Sequence, residues 1–262
     1  MALKKEDIAE IRIVPGLGKL WAEYVIKHRE TKGINLDYNK ALGLDLGINN
    51  LITAVSTTGN KGLKPLVHNC DGRKLKFINQ KFNKFVAKYK QGNKGLKPLV
   101  QLWDETLAEV THKRNCQVRD FINKAARFVV NYCLNQSIGN IVIGWNEGNK
   151  QEINLGKRNN QNFVQIPLYR LKNKIKEIAK SLGIKVIETE ESYTSQSSFL
   201  DNDELPRYDE KLKRKYKFSG KRVKRGLYKT ANKFLINADA NGAANILRKV
   251  TAQLGINRSL GR

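Results

Sequence analysis

The chain is poor in cysteine and in acid. Its three cysteines, Cys70, Cys116 and Cys133, form no CxxC pair, which excludes a disulfide framework and a four-cysteine zinc site. No run of 18 apolar residues occurs, so no helical membrane span is expected. The opening residues Met1-Ala2-Leu3-Lys4-Lys5-Glu6-Asp7 lack the apolar stretch of a secretion signal, so a cytoplasmic protein is expected. Acidic residues number 24 against 49 Lys and Arg, a formal charge of +25. That sign selects a polyanion as partner, nucleic acid first, although basic structural proteins and anionic-membrane binders share it. At 262 residues and 40% hydrophobic content the chain can bury the core of one large domain or two small ones.

Spacing predicts the elements. Residues 11–14, a Pro-Gly-Leu-Gly turn at 15–18 and residues 20–26 read as a hairpin. Residues 41–47 read as a strand interrupted by one carboxylate, 51–55 as a second strand and 65–67 as a third. Leu75, Ile78, Phe82, Phe85, Val86 and Tyr89 recur at helical spacing, and a second long helix is expected over about 100–136. A strand at 140–145, a helix at 166–182 ended by Gly183, a strand at 185–190, a basic turn-rich segment and a helix at 238–254 follow. The order predicts an α/β domain with a mixed sheet. A nine-residue string at 59–67 recurs at 92–100, too few copies for a solenoid and so a local duplication.

Two carboxylates stand out. Asp45, between Leu44 and Leu46, carries a desolvation cost unless it is paired, binds metal or simply ends its strand and caps the Gly47 turn. Asp239 opens a helix rich in small residues, where it either caps the helix or faces a ligand. Two such acids on a basic α/β chain fit the holding of divalent ions for phosphodiester chemistry. His28, His68 and His112 read as surface or packing residues.

The string Ala41-Leu42-Gly43-Leu44-Asp45-Leu46-Gly47-Ile48-Asn49-Asn50-Leu51 resembles the first RuvC motif of TnpB proteins, compact transposon-encoded RNA-guided DNA endonucleases. Residues 237–246, with Asp239 and Asn241, resemble their third motif, and 72–80, 155–163 and 191–195 add further matches in order. The resemblance spans roughly 35–250. It implies an RNase H-like (RuvC) fold, a mixed five-stranded sheet with flanking helices. It divides the chain into a residual hairpin at 1–40, a nuclease core at 41–191 with a helical insertion at about 73–136, a basic loop at 192–236, and a terminal helix and tail at 237–262. It also implies a prokaryotic, nucleoid-associated protein that cuts DNA with two Mg²⁺ ions, or Mn²⁺ in their place, about 3.5–4 Å apart. DNA, and guide RNA in the full-length form, are the implied partners.

The chain departs from that pattern in three ways. Only about 40 residues precede Asp45, where full-length relatives carry about half their length, so the chain resembles the nuclease half and an N-terminal partner acting in trans stays open. The ribbon positions that hold cysteines in relatives fall on Ser198, Asp201 and about Gly220 and Val223, so no zinc is expected. The acid expected at the end of the fourth strand is replaced by Gly144. In the RNase H-like order the fifth strand lies beside the fourth, so a long acid from its end could reach over Gly144. Alternation puts Glu188 and Glu190 on one face and Glu191 on the other, beside the strand's carboxyl end. Glu191 is therefore the first candidate for the third carboxylate, ahead of Glu190 and then Glu147.

Lys157, Arg158 and Asn159, then Lys213, Arg214, Lys221, Arg222, Lys224 and Arg225, are the candidate nucleic-acid contacts, with Tyr216 and Tyr228 available for stacking. Two functional readings result: a Mg²⁺-dependent endonuclease domain with Asp45, Glu191 and Asp239 as catalytic metal ligands, and a catalytically inactive nucleic-acid-binding remnant.

Overall fold

The computed structural model describes residues 4–16, 19–27, 33–57, 71–92, 104–146, 166–208, 216–251 and 254–255. The predicted strand at 65–67, Glu147, Lys157, Arg158, Asn159, Lys213, Arg214, His28, His68 and Cys70 lie outside these residues. So does the repeated string apart from Gly92.

The chain begins with an antiparallel ribbon of β1 (Ile8–Gly16) and β2 (Lys19–Ile26). Trp21 stacks on His112 with ring centroids 4.6 Å apart, which gives that histidine a packing role. Next come β3 (Asp37–Asp45), β4 (Thr53–Ser56), α1 (Gly72–Gly92), α2 (Glu105–Asn135), β5 (Ile138–Gly144), α3 (Leu168–Ser181) and β6 (Lys185–Thr189). The strands β3 to β6 form one sheet in the order β4-β3-β5-β6, with β4 antiparallel to β3, and β5 and β6 parallel to it. The predicted neighbours are thus in place: β5 beside β3, and β6 beside β5.

All seven residues of β5, Ile-Gly-Asn-Ile-Val-Ile-Gly, are buried, as a parallel strand covered on both faces requires. Side chains alternate between those faces. Leu42, Leu44, Ile141 and Ile143 pack with Val129 and Val130 of α2 and Leu171 and Ile175 of α3. Ala41 and Val142 face the other way, onto Ile246, Leu247 and Val250 of the last helix, α4 (Ala238–Thr251 in the chain).

The segment expected as a basic loop holds a small antiparallel sheet of β7 (Lys221–Lys224), β8 (Leu227–Lys229) and β9 (Leu235–Asn237), the last running straight into α4. All four residues of β7 are exposed, so it has no apolar alternation that would betray a strand. Tyr228 corrects another expectation. It is fully buried, its hydroxyl donates to the Gln196 carbonyl at 2.7 Å, and it offers no face to a base. Tyr216 packs edge-on against Tyr193, centroids 5.1 Å apart.

Helix α4 lies directly on β3. A Cβ at Gly43 would stand 2.7 Å from the Ala243 carbonyl oxygen and 2.8 Å from Leu247 Cβ. Backbone cannot yield as a side-chain tip can, so Gly43→Ala should cost about 1–3 kcal/mol by overpacking. Urea unfolding measures it, and an unchanged midpoint would mean that helix and strand are not in this contact.

Candidate active site

Asp45 ends β3 on the same face as Ala41 and Gly43, turned toward α4. The approach is close: a Cβ at Gly242 would stand 2.8 Å from Asp45 Oδ2. Asp239 is the second residue of α4, but it does not cap the helix. Asn237 does, its Oδ1 accepting from the backbone N–H groups of Asp239 and Ala240 at 2.9 Å each. The Asp239 carboxylate therefore turns to other partners. Oδ2 accepts from Asn50 Nδ2 at 2.8 Å, and Oδ1 from Arg222 Nη2 at 3.1 Å.

Glu191 follows β6 in a turn pinned from three sides. Its N–H donates to Asn146 Oδ1 at 3.0 Å, and its carbonyl accepts from Thr194 Oγ1 at 2.7 Å. Asn241 and Asn245, one turn apart on α4, donate to the Ser197 carbonyl at 2.8 and 2.7 Å, and Asn245 also to that of Thr194 at 2.9 Å. So pinned, the side chain reaches the end of β5 at Gly144, where Ile246 of α4 also packs. Glu191 Oε2 lies 3.2 Å from the place a Gly144 Cβ would take. Asn241, part of the Asp-x-Asn string, thus fastens the Glu191 turn.

Asp45 registers the other two acids. Burial pushes the Asp45 carboxyl up, the negative charges of Glu191 and Asp239 push it further, and Arg222 pulls it back, leaving it at about 7. Among the described residues no hydrogen-bond donor reaches the Asp45 carboxylate.

The rival acids are occupied elsewhere. Glu188 pairs with Lys172 at 2.6 Å and Lys176 at 2.5 Å, on the α3 side. Glu190 pairs with Lys249 of α4 at 2.8 Å. Burial raises both carboxyls, but these lysines outweigh it and hold them below the ordinary value. Glu188 and Glu190 therefore do not share a face, contrary to the alternation expected. β6 ends at Thr189, and past that residue the pleat no longer dictates direction.

Lys221, Lys224 and Arg225 are exposed, as nucleic-acid contacts require, whereas Arg222 points into the acids. Asn50, Asn146 and Gly242 are site residues that sequence reasoning missed. The signal for Gly242 was present in the small residues of the Asp239 string, and that for Asn50 in a polar residue just beyond the strand carrying Asp45.

Fitness for a metal rests on the donors. The three side chains offer only carboxylate oxygen, which suits Mg²⁺ or Mn²⁺, and Asp45 lacks a donor to offset its charge. Among the described residues no three acids, cysteines or histidines yet stand close enough to hold one ion. The Arg222 guanidinium already serves Asp239.

A mixed α/β fold with an acid cluster at the carboxyl edge of its parallel strands defines the class. Residues 28–150 match the family model described as a probable transposase, and residues 169–246 match the Cas12f1-like TNB domain. These two regions in succession support a resemblance to TnpB-type nucleases. Two cryo-EM structures share its fold, each with a TM-score of 0.54. One is a Cas12f1–sgRNA–target DNA complex, 18% identical, matched over 90% of this chain and 55% of that one. The other is a CRISPR–Cas12f ternary complex, 15% identical, matched over 95% of this chain and 45% of that one. The chain thus spans about half the length of these structural relatives. No curated protein of similar sequence was found. Among the described residues no helix is long and apolar enough to cross a membrane.

The raised Asp45 carboxyl predicts a pH effect. Its ordinary value is 3.8 and its folded value about 7, so the folded form holds the proton longer than the unfolded chain. Ionisation therefore opposes folding progressively over that interval, and the cost is complete above it. In EDTA, Asp45→Asn should be more stable than the parent at pH 8, by about 1 kcal/mol or more, with the gain fading toward pH 4. Thermal unfolding across pH measures it, and a parent more stable than the variant at pH 8 would contradict a carboxyl raised by burial and by its neighbours.

Proposed function

We propose that this chain is the nuclease part of a transposon-associated, RNA-guided DNA endonuclease, with Asp45, Glu191 and Asp239 as its catalytic carboxylates. One observation supports the reading: Glu191 Oε2 lies 3.2 Å from the place of a Gly144 Cβ, beside Ile246, and its charge acts on Asp45, so Glu191 would stand in for the acid absent from β5. The strand order β4-β3-β5-β6 supports an RNase H-like core at 41–191.

The all-oxygen cluster would hold Mg²⁺ or Mn²⁺, which supplies an activated water and charge stabilisation at the scissile phosphate. The chain's own residues do the rest. Asn50 fixes one oxygen of Asp239 and leaves the other to its charged partner. Asn146 and Thr194 hold the Glu191 backbone, and its carboxylate lies beside Gly144 at the end of β5. Arg222 pairs with Asp239 and, half exposed, would be able to turn to a phosphate oxygen once a cation took that charge over. Lys221, Lys224 and Arg225 flank it as backbone contacts, with Lys157, Arg158, Asn159, Lys213 and Arg214 as further ones. Such contacts position nucleic acid without reading its sequence, which pairing with a guide RNA would supply. A prokaryotic, nucleoid-associated setting and an N-terminal partner in trans accord with this reading. The inactive-remnant reading draws on the Arg222–Asp239 pair, which would then be permanent.

Nicking of labelled single-stranded DNA in Mg²⁺ decides between them. Glu191→Gln should lower the rate at least 100-fold with DNA affinity preserved, as should Asp45→Ala and Asp239→Ala, while Glu190→Gln stays near the parent. Full activity in Glu191→Gln would refute the assignment, and an inert parent would favour the remnant. DNA affinity should also fall about 10³-fold between 50 and 200 mM salt if six or more phosphates are contacted. A flat salt dependence would remove the nucleic-acid channel.

A further inference from the structure

The positions where relatives carry ribbon cysteines do not fit a zinc ion. Zinc in such a site needs thiolate or imidazole, and here Ser198 and Asp201 face Ser219 and Gly220 across the turn. Gly220 cannot gain a side chain in this geometry, because its Cβ would stand 2.5 Å from the ring of the buried Tyr228.

Two carboxylates fill the space instead, and hydrogen-bond donors surround them. Asp203 Oδ2 accepts from the backbone N–H groups of Ser198 at 2.8 Å and Ser219 at 3.0 Å. Asp201 Oδ2 accepts from the Ser198 hydroxyl at 2.5 Å and the Ala231 N–H at 2.8 Å. The Ser219 hydroxyl is shared, 2.6 Å from Asp203 Oδ1 and 3.2 Å from Asp201 Oδ2. Three chain segments, around 198, 219 and 231, are thereby drawn onto one centre. A cation site would turn carboxylate oxygens toward a common empty point. Here N–H and O–H groups point inward, so the negative charge is spent on the protein itself.

We propose that this hydrogen-bonded clasp replaces the metal of the ribbon, and that Asp201 and Asp203 act through it as positioning residues for Arg222. Ser219 stands three residues before Arg222, and Ala231 follows β8, whose Tyr228 pairs in register with Arg222. Fastening Ser219 and Ala231 fixes both ends of the β7–β8 hairpin, and the hairpin delivers the guanidinium to Asp239. The titration of neighbouring groups agrees. Burial raises the Asp201 carboxyl, yet the hydroxyl and N–H donors outweigh it and hold it below the ordinary value. Burial first, then the Asp203 charge, pushes the Tyr228 hydroxyl up to about 12. The role of Arg222 in cleavage rests on the nuclease reading above, whereas the clasp does not.

Hydrogen–deuterium exchange on the full chain tests the clasp without any need for cleavage. The amides of Lys221–Lys224 should exchange at the same rate in EDTA and with added zinc. Exchange should be about tenfold faster or more in Asp201→Asn and in the milder Ser219→Ala, as loss of hydrogen bonds to a charged group predicts. Faster exchange in EDTA alone, one equivalent of zinc retained after chelation, or parent-like exchange in both variants would overturn the clasp. Nicking kinetics test the positioning role. Asp201→Asn should lower kcat to the level of Arg222→Ala with KM for DNA unchanged, and the double variant should fall no further. A double variant that loses the product of the two single effects would separate Asp201 from Arg222. An inert parent would remove the positioning role together with the nuclease reading, and the exchange experiment would still decide the clasp.

Discussion

Helix α4 rests on β3 with bare backbone between them at Gly43, and the site follows from that contact. The small residues of α4 allow the approach, and the approach carries Asp239 to the end of the strand that Asp45 terminates. The same helix sends Asn241 and Asn245 back to the turn that bears Glu191. Three acids far apart in sequence are thus placed by one helix–strand contact and its hydrogen bonds. The placement has a cost, since the carboxylates repel in a poorly solvated corner, and Asp45 registers it as a raised pKa. The proposed divalent cation would relieve it, and the Arg222 guanidinium offsets part of it already.

Much of this could be read in the chain. Asp45 and Asp239 were visible because an acid in an apolar strand and an acid among small helical residues each need a reason. The approach of Glu191 to Gly144 was reachable because adjacent parallel strands put the next acid within reach. What failed did so for identifiable causes. The faces of Glu188 and Glu190 were misjudged because alternation was extended past Thr189, where the strand has ended. β7 was unreadable because its stabilisation comes from neighbours rather than from an apolar face. Tyr228 looked like a stacking residue because composition does not say which aromatic in a basic segment is the one that folds it.

The basic segment therefore has two sides. Lys221, Lys224 and Arg225 carry charge outward, as expected of a chain at +25, while Arg222 carries it inward to the acids. One short strand serves both purposes only if its register is held, and an exposed four-residue strand has little of its own to hold it. The buried Tyr228 and the donors gathered on Asp201 and Asp203 supply that restraint. Carboxylates thus serve the molecule twice: compensated by donors where they fasten the small sheet, and, at Asp45, left without a hydrogen-bond donor where a cation is proposed.

Anomalous scattering from crystals soaked in Mn²⁺ addresses the acid cluster most directly. Manganese should appear between Asp45, Glu191 and Asp239, with the Arg222 guanidinium displaced from Asp239, and should be absent from Glu191→Gln crystals at the same concentration. A manganese peak at Glu188 or Glu190, or an intact Arg222–Asp239 pair with no peak beside Asp45, would contradict the three-carboxylate site.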